Sequence, residues 1–244
     1  MATSNTKLLQ FIKIGSACLF DKNGNVNREL LEQKVREIEA DENNNVLVVS
    51  GAIALGMARE NEQRSKSELS SVELQGYAST GQIYLMDLYK SLFRKNVSQL
   101  LVTERELTQA ESISKLIAEN AMKNRVTLVN YNDCIDFEEI RKDNDTLAAD
   151  IMLACGGDRL VILGSDYDGF KDSHGKLIER VYSIDDSLYS HCNGKSKQGN
   201  GGFQTKLDAA KKVLAADKEL IISNLNFRLE DIINGNARRT LFKR

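Results

Sequence analysis

Four short segments of this chain combine residue types suited to binding anions or amino-acid groups. Lys13-Ile14-Gly15-Ser16 closes an apolar run, so a lysine ammonium would stand at a strand end while Gly15 lets backbone approach an anion closely. A solvated lysine is the ordinary alternative. Val49-Ser50-Gly51-Ala52 places a small hydroxyl and a glycine where a strand turns into a helix. That arrangement suits a carboxylate or phosphate, and equally a plain N-cap serine. Asn130-Tyr131-Asn132-Asp133 and Lys142-Asp143-Asn144-Asp145 are dense polar clusters between an apolar strand and a helix. Their Asn and Asp side chains could bind an α-ammonium or orient a lysine, and Asp145 could instead cap the helix that follows. The fourth segment, Gly199-Asn200-Gly201-Gly202-Phe203-Gln204-Thr205-Lys206, offers exposed backbone amides and one lysine, the ingredients of a phosphate cradle. Its Thr205-Lys206 order reverses the lysine-then-hydroxyl order of a Walker-type loop. No G-x-G-x-x-G follows the first apolar run, which argues against a dinucleotide fold.

These segments must be held by regular elements. Short apolar runs alternate with helical patterns, which predicts an α/β fold with a mostly parallel sheet. Strands are expected at Leu8 to Ile14, Asn45 to Ser50, Val97 to Thr103, Val126 to Asn130, Arg159 to Gly164 and Glu219 to Ser223. Helical spacing covers Asn27 to Ala40, Ala52 to Arg59, Gln109 to Asn124, Leu147 to Cys155, Thr205 to Ala215 and Leu229 to Asn234. A long helical region from Val72 to Phe93 is expected to break near Gly81. The stretch from Asn193 to Gly202 reads as a mobile loop. No repeat or linker divides the chain, so residues 1–244 are read as one domain, with two lobes.

Composition narrows the functional classes. The 244 residues are 41% apolar and 28% charged with a formal net charge of -2, so nothing favours nucleic acid or an anionic membrane as partner. The basic tail from Arg238 to Arg244 reads as a solvated terminus. No run approaches the ~20 apolar residues of a membrane span, and the polar start from Met1 to Lys7 lacks the apolar core of a secretion signal. Cys18, Cys134, Cys155 and Cys192 form no C-x-x-C pair, and His191 beside Cys192 supplies too few ligands for a closed zinc site. Reduced cysteines, a cytoplasmic location and no resident metal are therefore expected. Proline is absent, where average usage would give on the order of twelve.

Taken in order, the segments resemble the amino acid kinase family, and within it the glutamate 5-kinases. The matching pieces are KIGS (13–16), VSGAIALG (49–56), STGQ (79–82), LLVT (100–103), VNYND (129–133), DNDTLAA (143–149), ILGSDYDGF (162–170), GNGGFQTKL (199–207) and RTLF (239–242). The resemblance implies an αβα sandwich with a substrate lobe in the N-terminal half and a nucleotide lobe in the C-terminal half. It implies ATP with Mg²⁺, transfer of a phosphoryl group to the γ-carboxylate of glutamate, and a role at the start of proline biosynthesis. By the same resemblance Lys13 and Lys206 would grip the phosphates and Asp145 would orient both lysines. Ser50, Gly51, Asp133 and Asn144 would hold the amino acid. Ser165 and Asp166, with the loop Asn200, Gly201, Gly202, Phe203, Gln204, Thr205 and Lys206, would form the nucleotide site. It further implies a homo-oligomer, proline as a feedback inhibitor and a downstream glutamyl phosphate reductase. The expected chain is a short form without the C-terminal RNA-binding-like (PUA) domain of many relatives. Tyr131 replaces a family glutamate, which points to that position for any change of substrate. A kinase for another small carboxylate or amino acid, and a non-catalytic amino-acid sensor, are the alternatives. A missing proline in an enzyme that starts proline synthesis would let it be translated when proline is scarce; compositional drift in a lysine- and asparagine-rich genome is the alternative.

Overall fold

A computed structural model describes residues 7–135, 143–190 and 202–244. Its N-terminal part runs β1 (Leu9–Ile14), α1 (Arg28–Ala40), β2 (Asn44–Val48), α2 (Ala52–Arg59), α3 (Ser71–Leu92) and β3 (Val97–Val102). Next come α4 (Glu104–Leu107), α5 (Ala110–Met122), β4 (Val126–Tyr131), α6 (Asn144–Ala154) and β5 (Arg159–Gly164). The last part holds β6 (Arg180–Val181), α7 (Asp186–Ser190), α8 (Phe203–Ala215), β7 (Glu219–Asn224), α9 (Leu229–Asn234) and β8 (Arg239–Phe242). The strands form one sheet in the order β3-β4-β2-β1-β5-β7-β8-β6. All neighbours from β3 through β7 pair parallel, and β8 joins β7 antiparallel.

Both faces of the sheet are covered, which explains why its strands read as unbroken apolar runs. Alternation along β5 sends Leu160 and Ile162 to one side and Val161 and Leu163 to the other. The first face packs against α5, α6 and α8 through Ile113, Ile117, Leu147, Ile151, Leu207 and Val213. The second packs against α1, α2, α3 and α9 through Leu31, Val35, Leu55, Leu85, Tyr89 and Ile232. The result is the αβα sandwich that the sequence led us to expect.

Three expectations need correction. Helix α3 runs unbroken through Gly81, because that glycine serves packing rather than a bend. A Cβ on Gly81 would lie 1.8 Å from the Ala52 carbonyl oxygen, and one on Gly56 would lie 2.0 Å from the Tyr77 carbonyl oxygen. Helices α2 and α3 therefore touch backbone to backbone. Helix α6 begins at Asn144 rather than Leu147, and its N-cap is Asp143, whose carboxylate accepts from the amides of Asp145 at 2.7 Å and Thr146 at 3.1 Å. Asp145 is thus not the cap. The basic tail is not a solvated terminus either: Thr240, Leu241 and Phe242 are buried in β8, and the arginines flank them. The mobile-loop reading of Asn193 to Gly202, all but Gly202 itself, and the reading of His191 beside Cys192 fall outside the described residues.

The α2–α3 contact makes a paired test. Gly76 also lies in α3, but a Cβ there meets nothing within 4 Å. Gly76→Ala is expected to stabilise the protein by about 0.5–1 kcal/mol, whereas Gly81→Ala should destabilise it by about 1–3 kcal/mol through overpacking. Urea-denaturation midpoints of the two variants should move in opposite directions.

Candidate active site

The carboxyl ends of parallel strands and the helix starts beyond them face one region, and the charged residues of the sequence reading converge there. Lys13 is the penultimate residue of the central strand β1, in register with Val48 of β2 and Ile162 of β5. Lys206 lies in the first turn of α8, and Asp145 in the first turn of α6. The Asp145 carboxylate lies between the two ammonium groups: Oδ1 is 2.5 Å from Lys13 Nζ and Oδ2 is 2.9 Å from Lys206 Nζ. All three side chains are buried. Burial alone would raise the Asp145 pKa, but the two lysines and their hydrogen bonds win and hold it at about 2. With both lysines charged the cluster carries net charge +1, in a setting where little water screens it.

Around this triad stand two groups of residues. On one side, Ser50 Oγ donates to the Ile14 carbonyl at 3.2 Å. Gly51, the N-cap of α2, has φ 106°, where a Cβ would also strike Leu19 at 2.2 Å. Asn144 Nδ2 donates to the Val49 carbonyl at 2.5 Å and to Asn130 Oδ1 at 2.7 Å, and Asn130 Nδ2 donates to Gln82 Oε1 at 2.8 Å. Asp133 follows β4 on a turn that Gln75 Nε2 ties to α3 through the Cys134 carbonyl at 3.4 Å. Lys66 is partly buried near it: burial pushes its ammonium pKa down, and the Asp133 carboxylate pulls it back up.

On the other side is an aromatic corner. The Phe203 ring meets Tyr167 and Phe170 edge-on at 5.3 and 5.4 Å between centroids. Lys206 Nζ stands 5.1 Å from the Tyr167 ring centroid, a cation–π distance. Gly202 caps α8 without a side-chain hydrogen bond, so the first amides of that helix have no side-chain cap. Thr205 Oγ1 donates to the Gly202 carbonyl at 2.9 Å, and Gln204 is exposed. Ser165 and Asp166 sit exposed on the lip after β5. Asn200 and Gly201 lie outside the described residues, as does Lys142.

Sequence reasoning singled out the triad and most of its neighbours but attached no role to Gln82, Lys66 or Tyr167. Gln82 was quoted only as part of STGQ, and a single polar residue in a long helix carries no stronger signal. Tyr131, by contrast, is buried in the core cluster beside Val102, Ile113 and Leu147. It is Asn130, on the opposite face of β4, whose side chain meets Gln82 and Asn144.

A model of the amino acid kinase family matches residues 9–224. The chain belongs to that family. Among curated relatives, this amino acid kinase is 36% identical over 230 residues to the glutamate 5-kinase of Pelagibacter ubique (strain HTCC1062), with 87% of the chain and 62% of the relative covered. It is 32% identical over 255 residues to the glutamate 5-kinase of Clostridium perfringens (strain 13 / Type A), covering 95% of the chain and 93% of the relative. It therefore spans about three fifths of the first relative's length and nearly all of the second's. The solved carbamate kinase from Giardia lamblia bound to AMP-PNP shares the fold, with TM-score 0.67 and 14% identity over 98% of this chain and 99% of that one.

The depressed pKa sets an acid limit for this chain. Asp145 binds its proton less tightly folded than unfolded, so its contribution is complete above about pH 5 and is lost as pH falls toward 2. The part lost should be roughly 2 kcal/mol. Urea midpoints measured against pH should fall more steeply below pH 5 for the native protein than for Asp145→Asn, which lacks the titration.

Proposed function

We propose that this protein transfers the terminal phosphate of ATP to the γ-carboxylate of L-glutamate, giving L-glutamyl 5-phosphate and ADP, the first step of proline biosynthesis. The observation that carries the reading is the buried Lys13–Asp145–Lys206 triad, in which two ammonium groups share one carboxylate. A carboxylate acceptor is ionised at neutral pH and needs no proton removed. One of its oxygens attacks the γ-phosphorus, the bond to the β-phosphate oxygen breaks, and ADP leaves with that electron pair. The obstacle is repulsion between two anions, which fixed positive charge and in-line positioning reduce. The names of the curated relatives agree with this chemistry.

Lys13 and Lys206 reach the transferred phosphoryl, and Asp145 holds both ammonium groups in place. The acceptor lies with its amino-acid end among Ser50, Gly51, Asp133 and Asn144. The nucleotide lies against Ser165, Asp166 and the loop from Asn200 through Gly201, Gly202, Phe203, Gln204 and Thr205 to Lys206, where the first amides of α8 donate to phosphate oxygens. Asp143 is engaged by helix amides and Asp145 by lysines, so the residues present suit a magnesium ion carried on the ATP phosphates. That ion would neutralise phosphate charge. On this reading the N-terminal half of one domain presents the acceptor and the C-terminal half the nucleotide.

The same reading extends to a cytoplasmic enzyme that hands its acyl phosphate to a separate glutamyl phosphate reductase and takes proline as a feedback inhibitor. No helix among the described residues is long and apolar enough to cross a membrane. Val72 and Ile83 of α3 are exposed apolar residues, which supports a homo-oligomer using that helix. A sensor without catalysis would have no use for the two-lysine clamp.

The test is ADP release from MgATP across a panel of amino acids, with hydroxylamine present to trap the acyl phosphate. Glutamate-dependent hydroxamate is expected, and Lys206→Ala should lower kcat by roughly 10²–10³-fold. Hydroxamate from a different acid alone would replace the substrate, and no hydroxamate from any acid would overturn the reaction.

A further inference from the structure

Gln82 is 7% exposed, and its Nε2 has no hydrogen-bond partner among the described residues. Its orientation is fixed by a chain of three amides rather than by choice of rotamer. The Val49 carbonyl can only accept, so the Asn144 atom 2.5 Å from it is the nitrogen. That nitrogen also meets Asn130, which must present Oδ1 there and Nδ2 to Gln82. Gln82 in turn must offer Oε1 to Asn130, leaving its NH₂ group as an unpaired donor at the far end. A buried unmade hydrogen bond costs about 1–3 kcal/mol. The residue before it, Gly81, lies against the Ala52 carbonyl at the start of α2, so the free donor stands between the N-terminus of α2 and the end of β4.

We propose that Gln82 Nε2 donates to the α-carboxylate of the acceptor amino acid and so sets the requirement for a free α-carboxylate. This inference rests on the amino-acid kinase reading above. The γ-carboxylate must reach the lysine triad, so the α-carbon end lies on the Asn144–Asn130–Gln82 side, with Asp133 on the turn beyond β4. A carboxylate oxygen there completes the open end of the amide chain among the described residues.

Three forms are to be compared on glutamate and on its α-amide, isoglutamine: native, Gln82→Leu and Gln82→Glu. Gln82→Leu should raise the KM for glutamate about ten- to a hundredfold, leave the KM for ATP within about twofold, and erase the native preference for glutamate over the α-amide by the same factor. Gln82→Glu places an acceptor where the donor was, so the preference should reverse toward the α-amide. Loss shared equally by both acceptors, or no change in either, would overturn the assignment and leave a packing or buried-water role. If the native enzyme makes no hydroxamate from glutamate, the Gln82 side-chain ¹⁵NH₂ resonance, identified by its absence in Gln82→Leu, decides separately. Its movement on adding any α-amino acid of the panel upholds Gln82 while the reaction falls, and a resonance that stays still with all of them overturns Gln82.

Discussion

The site is organised by one carboxylate that could not be buried alone. An isolated Asp145 at that depth would take up a proton. Two lysines beside it keep that carboxylate ionised, and this requires three distant stretches of chain to arrive at one point. Strand β1 delivers Lys13 from the middle of the sheet, α6 delivers Asp145, and α8 delivers Lys206. The parallel topology makes this possible, because β3, β4, β2, β1, β5 and β7 all point their carboxyl ends to the same side.

Packing elsewhere serves the same end. The backbone contact of α2 with α3 at Gly56 and Gly81 brings the α2 N-terminus, with Ser50 and Gly51 before it, alongside Gln82. The amide chain from Gln82 through Asn130 to the Val49 carbonyl then links α3, β4, α6 and the end of β2. Polar side chains do here what apolar contacts do in the core, with directionality added.

Much of the fold was legible because burial on both faces leaves a strong mark: Arg159 to Gly164 and Leu229 to Asn234 were bounded to the residue. The errors have physical causes. Capping residues prefer the types that also make turns, so Asp143-Asn144-Asp145 looked like loop when two of the three are helical. Gly81 looked like a break because a glycine needed for interhelical contact has no local signature. The tail Arg239–Phe242 is short and flanked by charge, and only its partner β7 shows it to be a strand. Resemblance supplied the triad's membership, whereas its geometry could come only from tertiary structure. Tyr131 drew attention as a chemical oddity, but strand alternation puts it in the core and gives Asn130 the polar face.

Asn144 and Asp145 are adjacent in the first turn of α6, under a single cap at Asp143. A helix start moves as a rigid unit, so a small tilt that adjusts the amide chain must also shift the carboxylate between the lysines. On the proposed reading, acceptor and nucleotide therefore share a mechanical element and their affinities are thermodynamically linked. Whatever one ligand does to the other's binding, the second must do to the first by the same factor. Evolution of either specificity in such a protein is constrained to search sequences that leave that one turn in place.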